Sequence, residues 1–401
     1  MESKLFLTMK TNWQIKKLGE VCEIVNGGTP KTGVLRYWDG NILWITPKDM
    51  GRLRKIYVEE TERKISKAGL ERSSAKIIPP NSIILSTRAP IGHLAINTKE
   101  ISTNQGCKGL IPNKNLDTKF LYYFLKDSVE LLNSLGSGTT FKELSGTKLK
   151  EVEIPFPSAI EQKRIVKILD EVFEGVEKAK ENAEKNLKNS RELFESYLQG
   201  VFENSKWEKK TLEEVSLQFG RGKSKHRPRN DKKLYGGKYP FIQTGDIRNS
   251  GHFIVEYSQS YSEAGLAQSK LWPRGTICIT IAANIAETGI LNFDACFPDS
   301  VIGLVANPKI ADTNFVEYLL QSFKAVLQAK GKGSAQANIN MATFEHERFP
   351  FPSVSEQKTI VKKLDALAEQ TKKLEGIYGQ KLADIEELKK SVLKKAFAGE
   401  L

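Results

Sequence analysis

Two long stretches of the chain carry apolar residues at alternating steps of four and three. The first runs Ile165, Leu169, Val172, Val176, Ala179, Ala183, then Asn186, Ser190, Leu193 and Tyr197. The second runs Ile360, Leu364, Leu367, Thr371, Leu374, Tyr378, Lys381, Ile385, Leu388, Val392. This is a heptad-like seam with some polar positions, and it predicts two long helices with a solvated Lys/Glu face. No proline interrupts 158–207 or 353–401. About 45 residues at ~1.5 Å each give helices of roughly 65 Å. Each seam needs a partner, and each helix is the other's candidate.

Both helices open on the same words. Residues 155–170 read PFPSAIEQKRIVKILD and residues 350–365 read PFPSVSEQKTIVKKLD, an offset of 195 with 12 of 16 positions identical. An internal repeat of this quality sets the architecture before any other signal. Pro157 and Pro352 mark the boundary, because proline cannot continue a helix inward. Ser158 and Ser353 follow at the N-cap, with Glu161 and Glu356 three residues on, the pattern of a capping box.

The segments before the helices repeat more loosely. Trp13–Leu18 (WQIKKL) matches Trp207–Leu212 (WEKKTL), and both lead to a Glu-Val pair at Glu20-Val21 and Glu214-Val215. Trp44-Ile45-Thr46 precedes Asp49 as Phe241-Ile242-Gln243 precedes Asp246. Residues 82–96 and 276–293 are β-branched runs bounded by Pro and Gly, the pattern of strand pairs. Residues 117–134 and 312–329 predict helices capped by Asp or Thr, each followed by a glycine-rich loop. The expected order is domain, helix, domain, helix, with bounds 13–157, 158–204, 205–352 and 353–401.

Composition narrows the classes. The chain has 401 residues, 39% hydrophobic and 27% charged, enough for two or three domains with cores. It has no run of 18 apolar residues and no apolar leader, so a cytoplasmic location is expected. Cys22, Cys107, Cys278 and Cys296 form no CxxC pair, which indicates neither zinc nor a disulfide framework. The net charge of +13 suggests a polyanionic partner, most often nucleic acid, or else a Lys-rich compositional bias.

The sequence carries no recognisable catalytic motif. Phe219–Ser224 (FGRGKS) resembles the end of a phosphate-binding loop, but that motif needs glycine where Leu217 stands. The two Glu-x-Lys triplets at 161–163 and 356–358 sit in capped first turns, with no Pro-Asp pair before them. No Asp/Asn-Pro-Pro-aromatic tetrapeptide occurs. His93, His226, His252 and His346 show no metal spacing. No catalytic, cofactor or metal residue is expected in this chain.

Nucleic-acid candidates are more numerous. Residues 221–229 read RGKSKHRPR and predict a mobile basic arm, with Arg221, Lys223, Lys225 and Arg227 reaching phosphates. Arg52 and Arg54 form a weaker counterpart. Thr87, Arg88, Asn104 and Gln105 stand at strand ends in the first domain; Gln243, Asn284 and Gln336 occupy comparable places in the second. Arg and amide side chains read guanine and adenine edges, although each such residue also has an ordinary structural reading. The glycine loops, with Thr139, Thr140 and Lys332, allow close backbone approach to DNA or serve as helix C-caps.

The doubled domain, the doubled PFP-S-x-x-EQK-x-IV helix start and the ending KAFAGEL together resemble the specificity subunit of type I restriction–modification enzymes, over nearly the whole chain. The resemblance implies an α+β fold: two similar mixed α/β target-recognition domains separated by two long helices forming an antiparallel coiled coil, with a pseudo-two-fold internal repeat. It implies that each domain reads one half of a split double-stranded DNA site. It also implies that the helices space the domains and dock two methyltransferase (modification) subunits, with two restriction/translocase subunits completing the complex. S-adenosylmethionine, ATP and magnesium would then belong to those partners. The alternatives are a coiled-coil DNA-architectural scaffold and a fragment of a fused methyltransferase–specificity protein; the family-like end at Leu401 argues against the fragment.

Overall fold

The computed structural model describes residues 13–138, 142–203, 206–282, 284–332 and 339–401, without the side chains of 331 and 332. It divides into two compact units. The first comprises the chain to Ala183 together with Gln380–Leu401; the second is Glu184–Gly379.

In the first unit the strands are β1 (Gln14–Lys17), β2 (Cys22–Asn26), β3 (Trp38–Ile45), β4 (Tyr57–Val58), β5 (Arg63–Ile65), β6 (Ile83–Thr87), β7 (Ile91–Asn97), β8 (Ile101–Thr103), β9 (Cys107–Pro112) and β10 (Glu153–Phe156). They form a five-stranded sheet in the order β2-β9-β6-β7-β4, a three-stranded sheet β5-β3-β8 and the pair β1-β10. The second unit carries β11 (Glu208–Lys210), β12 (Ser216–Arg221), β13 (Tyr235–Phe241), β14 (Phe253–Ile254), β15 (Gln259–Tyr261), β16 (Leu271–Trp272), β17 (Ile277–Thr280), β18 (Thr288–Leu291), β19 (Ala295–Cys296), β20 (Val301–Ala306) and β21 (Phe349–Phe351). Its sheets run β12-β20-β17-β18-β14, β15-β13-β19-β16 and β11-β21. Strand for strand the order is the same, with β16 added. The expected strand pairs are the antiparallel neighbours β6-β7 and β17-β18.

The two most similar repeated words turn out to be partners. β1 pairs antiparallel with β10, and β11 with β21, so the WQIKKL and PFP segments close each domain at its junction with a long helix. The helix expected over 117–134 is present but breaks at Ser128 into Thr118–Asp127 and Val129–Leu135; its counterpart breaks at Phe323 into Thr313–Ser322 and Lys324–Lys332. Asp117 caps the first by accepting from the amides of Lys119 and Phe120, at 2.9 and 3.0 Å. Asp312 does the same for Asn314 and Phe315, at 3.0 and 3.1 Å.

The long helices are Ala159–Phe202 and Val354–Ala398. Within the first unit their segments run antiparallel: Arg164 reaches the Leu401 carbonyl, Glu177 pairs with Lys389 at 2.7 Å and Lys180 with Glu386 at 3.4 Å. Within the second, Arg191 pairs with Glu375 at 3.3 Å. Much of the seam is buried by the domain of its own unit. Ile165, Leu169, Phe173, Leu393, Ala396 and Phe397 share one core with Phe120, Leu121 and Phe124. Leu198, Phe202, Val361 and Leu364 share another with Phe315, Val316 and Leu319. This explains a departure from the expected seam. Leu193, Tyr197 and Leu388 are 51%, 41% and 47% exposed; on the first helix the buried stripe continues instead through Leu198 and Phe202, which pack with Phe315 and Leu319. A straight helix of 3.6 residues per turn drifts off a 3.5-residue repeat, and the docked body takes up the drifted face.

The capping boxes are also modified. Ser158 and Ser353 do accept from the amides of Glu161 and Glu356, each at 3.3 Å. The carboxylates are used elsewhere: Glu161 grips Arg164, and Glu356 accepts from the Trp207 indole at 3.2 Å. The middle residue of the EQK triplet is the structural one. Gln162 is fully buried; it accepts from the Asp117 amide at 2.8 Å and donates to the Asn115 and Pro157 carbonyls at 3.1 and 3.0 Å. Gln357 repeats this with Asp312, Ile310 and Pro352, at 2.8, 3.0 and 2.8 Å. The aspartates ending the repeat hold a domain tyrosine: Tyr123 donates to Asp170 at 2.8 Å and Tyr318 to Asp365 at 2.7 Å.

The second unit adds a buried ion pair at this junction. His252 stacks on Tyr318 with ring centres 4.6 Å apart and lies 2.6 Å from the wholly buried Glu317 carboxylate. Thr288 and Gln321 also donate to Glu317, at 2.8 and 2.7 Å. Among the described residues no helix is long and apolar enough to cross a membrane.

Candidate nucleic-acid interface

In each domain one loop leaves the first strand of the large sheet and crosses to the small sheet. It starts at a glycine that nothing else could replace. A Cβ on Gly27 would lie 1.9 Å from the Asn104 carbonyl oxygen, and one on Gly222 would lie 2.3 Å from that of Phe297. The next residue is fixed by the backbone: Gly28 N–H donates to Thr103 and Lys223 N–H to Phe297. These bonds seat the loop against the strand end that carries Asn104 and Gln105 in one domain and Pro298 and Asp299 in the other.

In the first domain this gathers four of the sequence candidates. Thr87 is fully buried and its hydroxyl donates to the Gly106 carbonyl at 3.3 Å, so it holds the strand ends and presents nothing to solvent. Asn104 accepts from the Gly106 amide at 3.0 Å. Gln105 is exposed and takes the Thr29 hydroxyl. Arg88 lies 3.7 Å from Glu143. Arg52 pairs with Glu62 at 3.2 Å. Arg54 lines a separate cleft of about 710 Å³ with His93, Lys126 and Glu174, and is not brought to Asn104 and Gln105.

The basic stretch of the second domain is far more tied down than a mobile arm. Arg221 donates to the Asp299 carbonyl at 2.7 Å, and Arg229 takes both oxygens of the Asp299 carboxylate at 2.9 Å. Arg227 donates to the Ser224 and His226 carbonyls at 2.8 and 2.9 Å, and His226 lies 2.9 Å from Asp231. Among the described residues the ammonium groups of Lys223 and Lys225 have no partner. Gln243 precedes the helix Thr244–Asn249, its backbone N–H donating to the Asp246 carboxylate at 2.8 Å. Asn284 accepts from Arg248 at 3.5 Å. Thr139, Thr140 and Gln336, and the side chain of Lys332, lie outside the described residues.

Sequence reasoning passed over the residues that finish this face. Trp38 and Trp44 meet edge to face at 5.1 Å, with the Arg63 guanidinium 4.0 and 4.7 Å above them. Tyr235, Phe241 and Gln259 occupy the equivalent positions. Spaced aromatics flanking a polar strand were the available signal. Lys108 was also missed: it is 6% exposed, donates to Asn26 at 2.8 Å, and burial pulls its pKa down. All four cysteines are buried and unpaired. Among the described residues no group of His, Cys, Asp or Glu could hold a metal ion. The face offers amides, hydroxyls and cations on rigid strand ends, equipment for binding a polyanion and its attached bases.

Comparison with known proteins bears on the doubled domain. The family model described as type I restriction modification DNA specificity domain matches residues 10–186 and again 204–386. The MjaIX specificity subunit of Methanocaldococcus jannaschii is 39% identical over 188 residues, 46% of this chain and 44% of that one. The EcoR124I/EcoR124II specificity subunit of Escherichia coli is 33% identical over 196 residues, 45% of this chain and 48% of that one. The chain thus spans about half the length of these relatives. The putative MjaX specificity subunit aligns over 97% of this chain and 94% of its own length at 24% identity. Among solved structures, a chain from a type I R-M system covers 98% of this one with a TM-score of 0.80 at 20% identity. The HsdS subunit of Thermoanaerobacter tengcongensis covers 98% with a TM-score of 0.65 at 19% identity. At such identities the likeness concerns the fold.

Proposed function

Because the chain belongs to the family of type I restriction modification DNA specificity domains, we propose that it is the sequence-reading subunit of a type I restriction–modification complex. Each domain reads one half of a bipartite site in double-stranded DNA. The antiparallel helices act as spacer and as docking surface for two modification subunits, with two restriction/translocase subunits joining them in a cytoplasmic complex. The chain itself supplies no catalytic group. S-adenosylmethionine, ATP and magnesium are assigned to the partners, with methyl transfer to adenine on the modification subunits.

One observation carries this reading. The same domain occurs twice, each copy locked to a long helix by the same buried glutamine, while the loop faces differ in chemistry. A scaffold that ignores sequence has no need for two differently equipped faces on one fixed frame. The candidate contacts are Gln105, Arg88 and Asn104 in the first domain, and Lys223, Lys225 and Gln243 with the cations beside them in the second.

The test uses the full chain, alone and with its modification subunits. Labelled S-adenosylmethionine and duplex DNA should give no transfer with the chain alone and transfer at a two-part motif with the complex. Exchanging residues 205–352 for the matching segment of another such subunit should change one half of the motif only. Transfer by the isolated chain, or a change in both halves, overturns the assignment.

A further inference from the structure

The two loop faces can be compared position by position, because the strand registers agree. In the first domain Trp44 stands opposite Arg63 and Trp38 opposite Ile65. In the second, Phe241 stands opposite Gln259 and Tyr235 opposite Tyr261. Trp38, Trp44 and Arg63 therefore correspond to Tyr235, Phe241 and Gln259.

The chemistry at these matched positions differs. In the first domain the Arg63 guanidinium covers both indoles, and Trp44 is anchored by its N–H on the Gly28 carbonyl at 3.0 Å. The aromatic surface already has its cation. In the second domain Gln259 is exposed, and among the described residues its amide has no hydrogen-bond partner; the same holds for the neighbouring Asn230. A cleft of about 320 Å³ opens there, lined by Tyr235, Phe241, Gln259, Gln243, Asn230 and Arg229. That is the small end of the range for ligand pockets. The cation at its rim is neutralised, since Arg229 is held by both oxygens of Asp299.

An aromatic wall with unpaired amides and no free charge does not suit a phosphate or a carboxylate. It suits a flat neutral group with a donor and an acceptor on one edge, which describes a nucleobase. An amide side chain meets adenine at N6 and N7 through a donor–acceptor pair. Resting on the function proposed above, we infer that the Gln259 cleft takes a base edge of the second domain's half-site, with Gln259 selecting adenine there. The matching position in the first domain is closed by Arg63, so that domain reads its half-site with other side chains.

The experiment selects bound duplexes from a random-sequence pool with the complex of full chain and modification subunits. Wild type should yield a two-part motif. Gln259→Ala should lose preference at one adenine position in one half, by roughly 5- to 150-fold, with every other position retained. Gln259→Glu should turn that position toward cytosine, whose N4 amino group a carboxylate accepts. Arg63→Ala, in the first domain, should leave the second domain's half of the motif unchanged. Gln259 is a surface residue, and circular dichroism verifies folding of each variant. A two-part wild-type motif that neither Gln259 variant alters overturns the cleft while leaving the two-reader function intact. A wild-type complex that selects no motif overturns both.

Discussion

Substituting Gln357 with alanine should be among the most damaging single changes in the second unit. The side chain is fully buried and makes three hydrogen bonds, all to backbone: from the Asp312 amide, to the Ile310 carbonyl and to the Pro352 carbonyl. Removing it leaves one donor and two acceptors without their partner, at about 1–3 kcal/mol for each group that water does not reach. Allowing water to rescue part of this, the loss is about 2–5 kcal/mol. Gln357→Glu keeps the acceptor for Asp312 but turns a carboxylate toward two carbonyls, so it should cost at least as much. Lys358→Ala, one residue on and exposed, should stay within about 0.5 kcal/mol. Urea unfolding followed by tryptophan fluorescence tests this, with Trp207 and Trp272 reporting on the second unit. Two units need not unfold together, so each transition is fitted separately. Gln357→Ala should lower the second unit's midpoint and Gln162→Ala the first's. A loss below about 1 kcal/mol for Gln357→Ala in a folded protein would refute the argument that the glutamine clamps the domain to the helix.

Burial works against charging His252, but its hydrogen bond to Glu317 and the charge of Glu317 outweigh it, and Asp365 adds to the same direction; its pKa is raised. The stabilisation is complete below the ordinary histidine value and is lost as pH rises through the folded value, so the second unit's urea midpoint should fall over that window and Glu317→Gln should remove the dependence. Burial raises the thiol pKa of all four cysteines, Cys22 to about 12, so a thiol-reactive dye should label none in the native chain and four in denaturant. Replacing Lys223 and Lys225 with alanine should reduce the salt slope of DNA binding by about one per lost contact; Arg221→Ala should reduce it less, because that guanidinium is already committed to the Asp299 carbonyl.

The long helices and the doubling of the domain were legible because their signals are periodic or literal. Heptad spacing marks a helix wherever it lands, and a 16-residue repeat needs no structure to be seen. What the pattern could not reveal was the surface that covers the seam. Leu193 and Tyr197 fit the spacing yet face solvent, while Leu198 and Phe202 are buried against Phe315 and its neighbours. That choice depends on where the domain docks. The site was legible by region more than by residue. Asn104 and Gln105 do stand at strand ends, but Thr87 is sealed inside, and the stretch 221–229 is held by Asp299 from 70 or more positions away. Long-range partners of this kind leave no local mark. Arg63 and Gln259 went unnoticed because their meaning lies in what stands opposite them across two strands.

The uneven drift between the copies then has a physical reading. Identity is retained where one side chain serves two elements at once. Gln162 and Gln357 each join a helix start to the cap of a domain helix; Asp170 and Asp365 each hold a domain tyrosine; the PFP strands pair with the opening strands β1 and β11. Loss of either glutamine leaves buried backbone groups unpaired on both sides of a junction. The loops are under a different constraint. The first glycine of each is fixed by the same close approach, and each loop is otherwise held by contacts particular to its own domain: Gly28 against Ser74 and Ala75 in the first, Arg221 and Arg229 on Asp299 in the second. Gly27 and Gly222 are therefore the same residue, whereas the next eight positions share almost nothing. A frame held by buried backbone contacts, carrying loops that can change without disturbing it, permits each reading face to take a new sequence of side chains while the junction to its helix stays as it was.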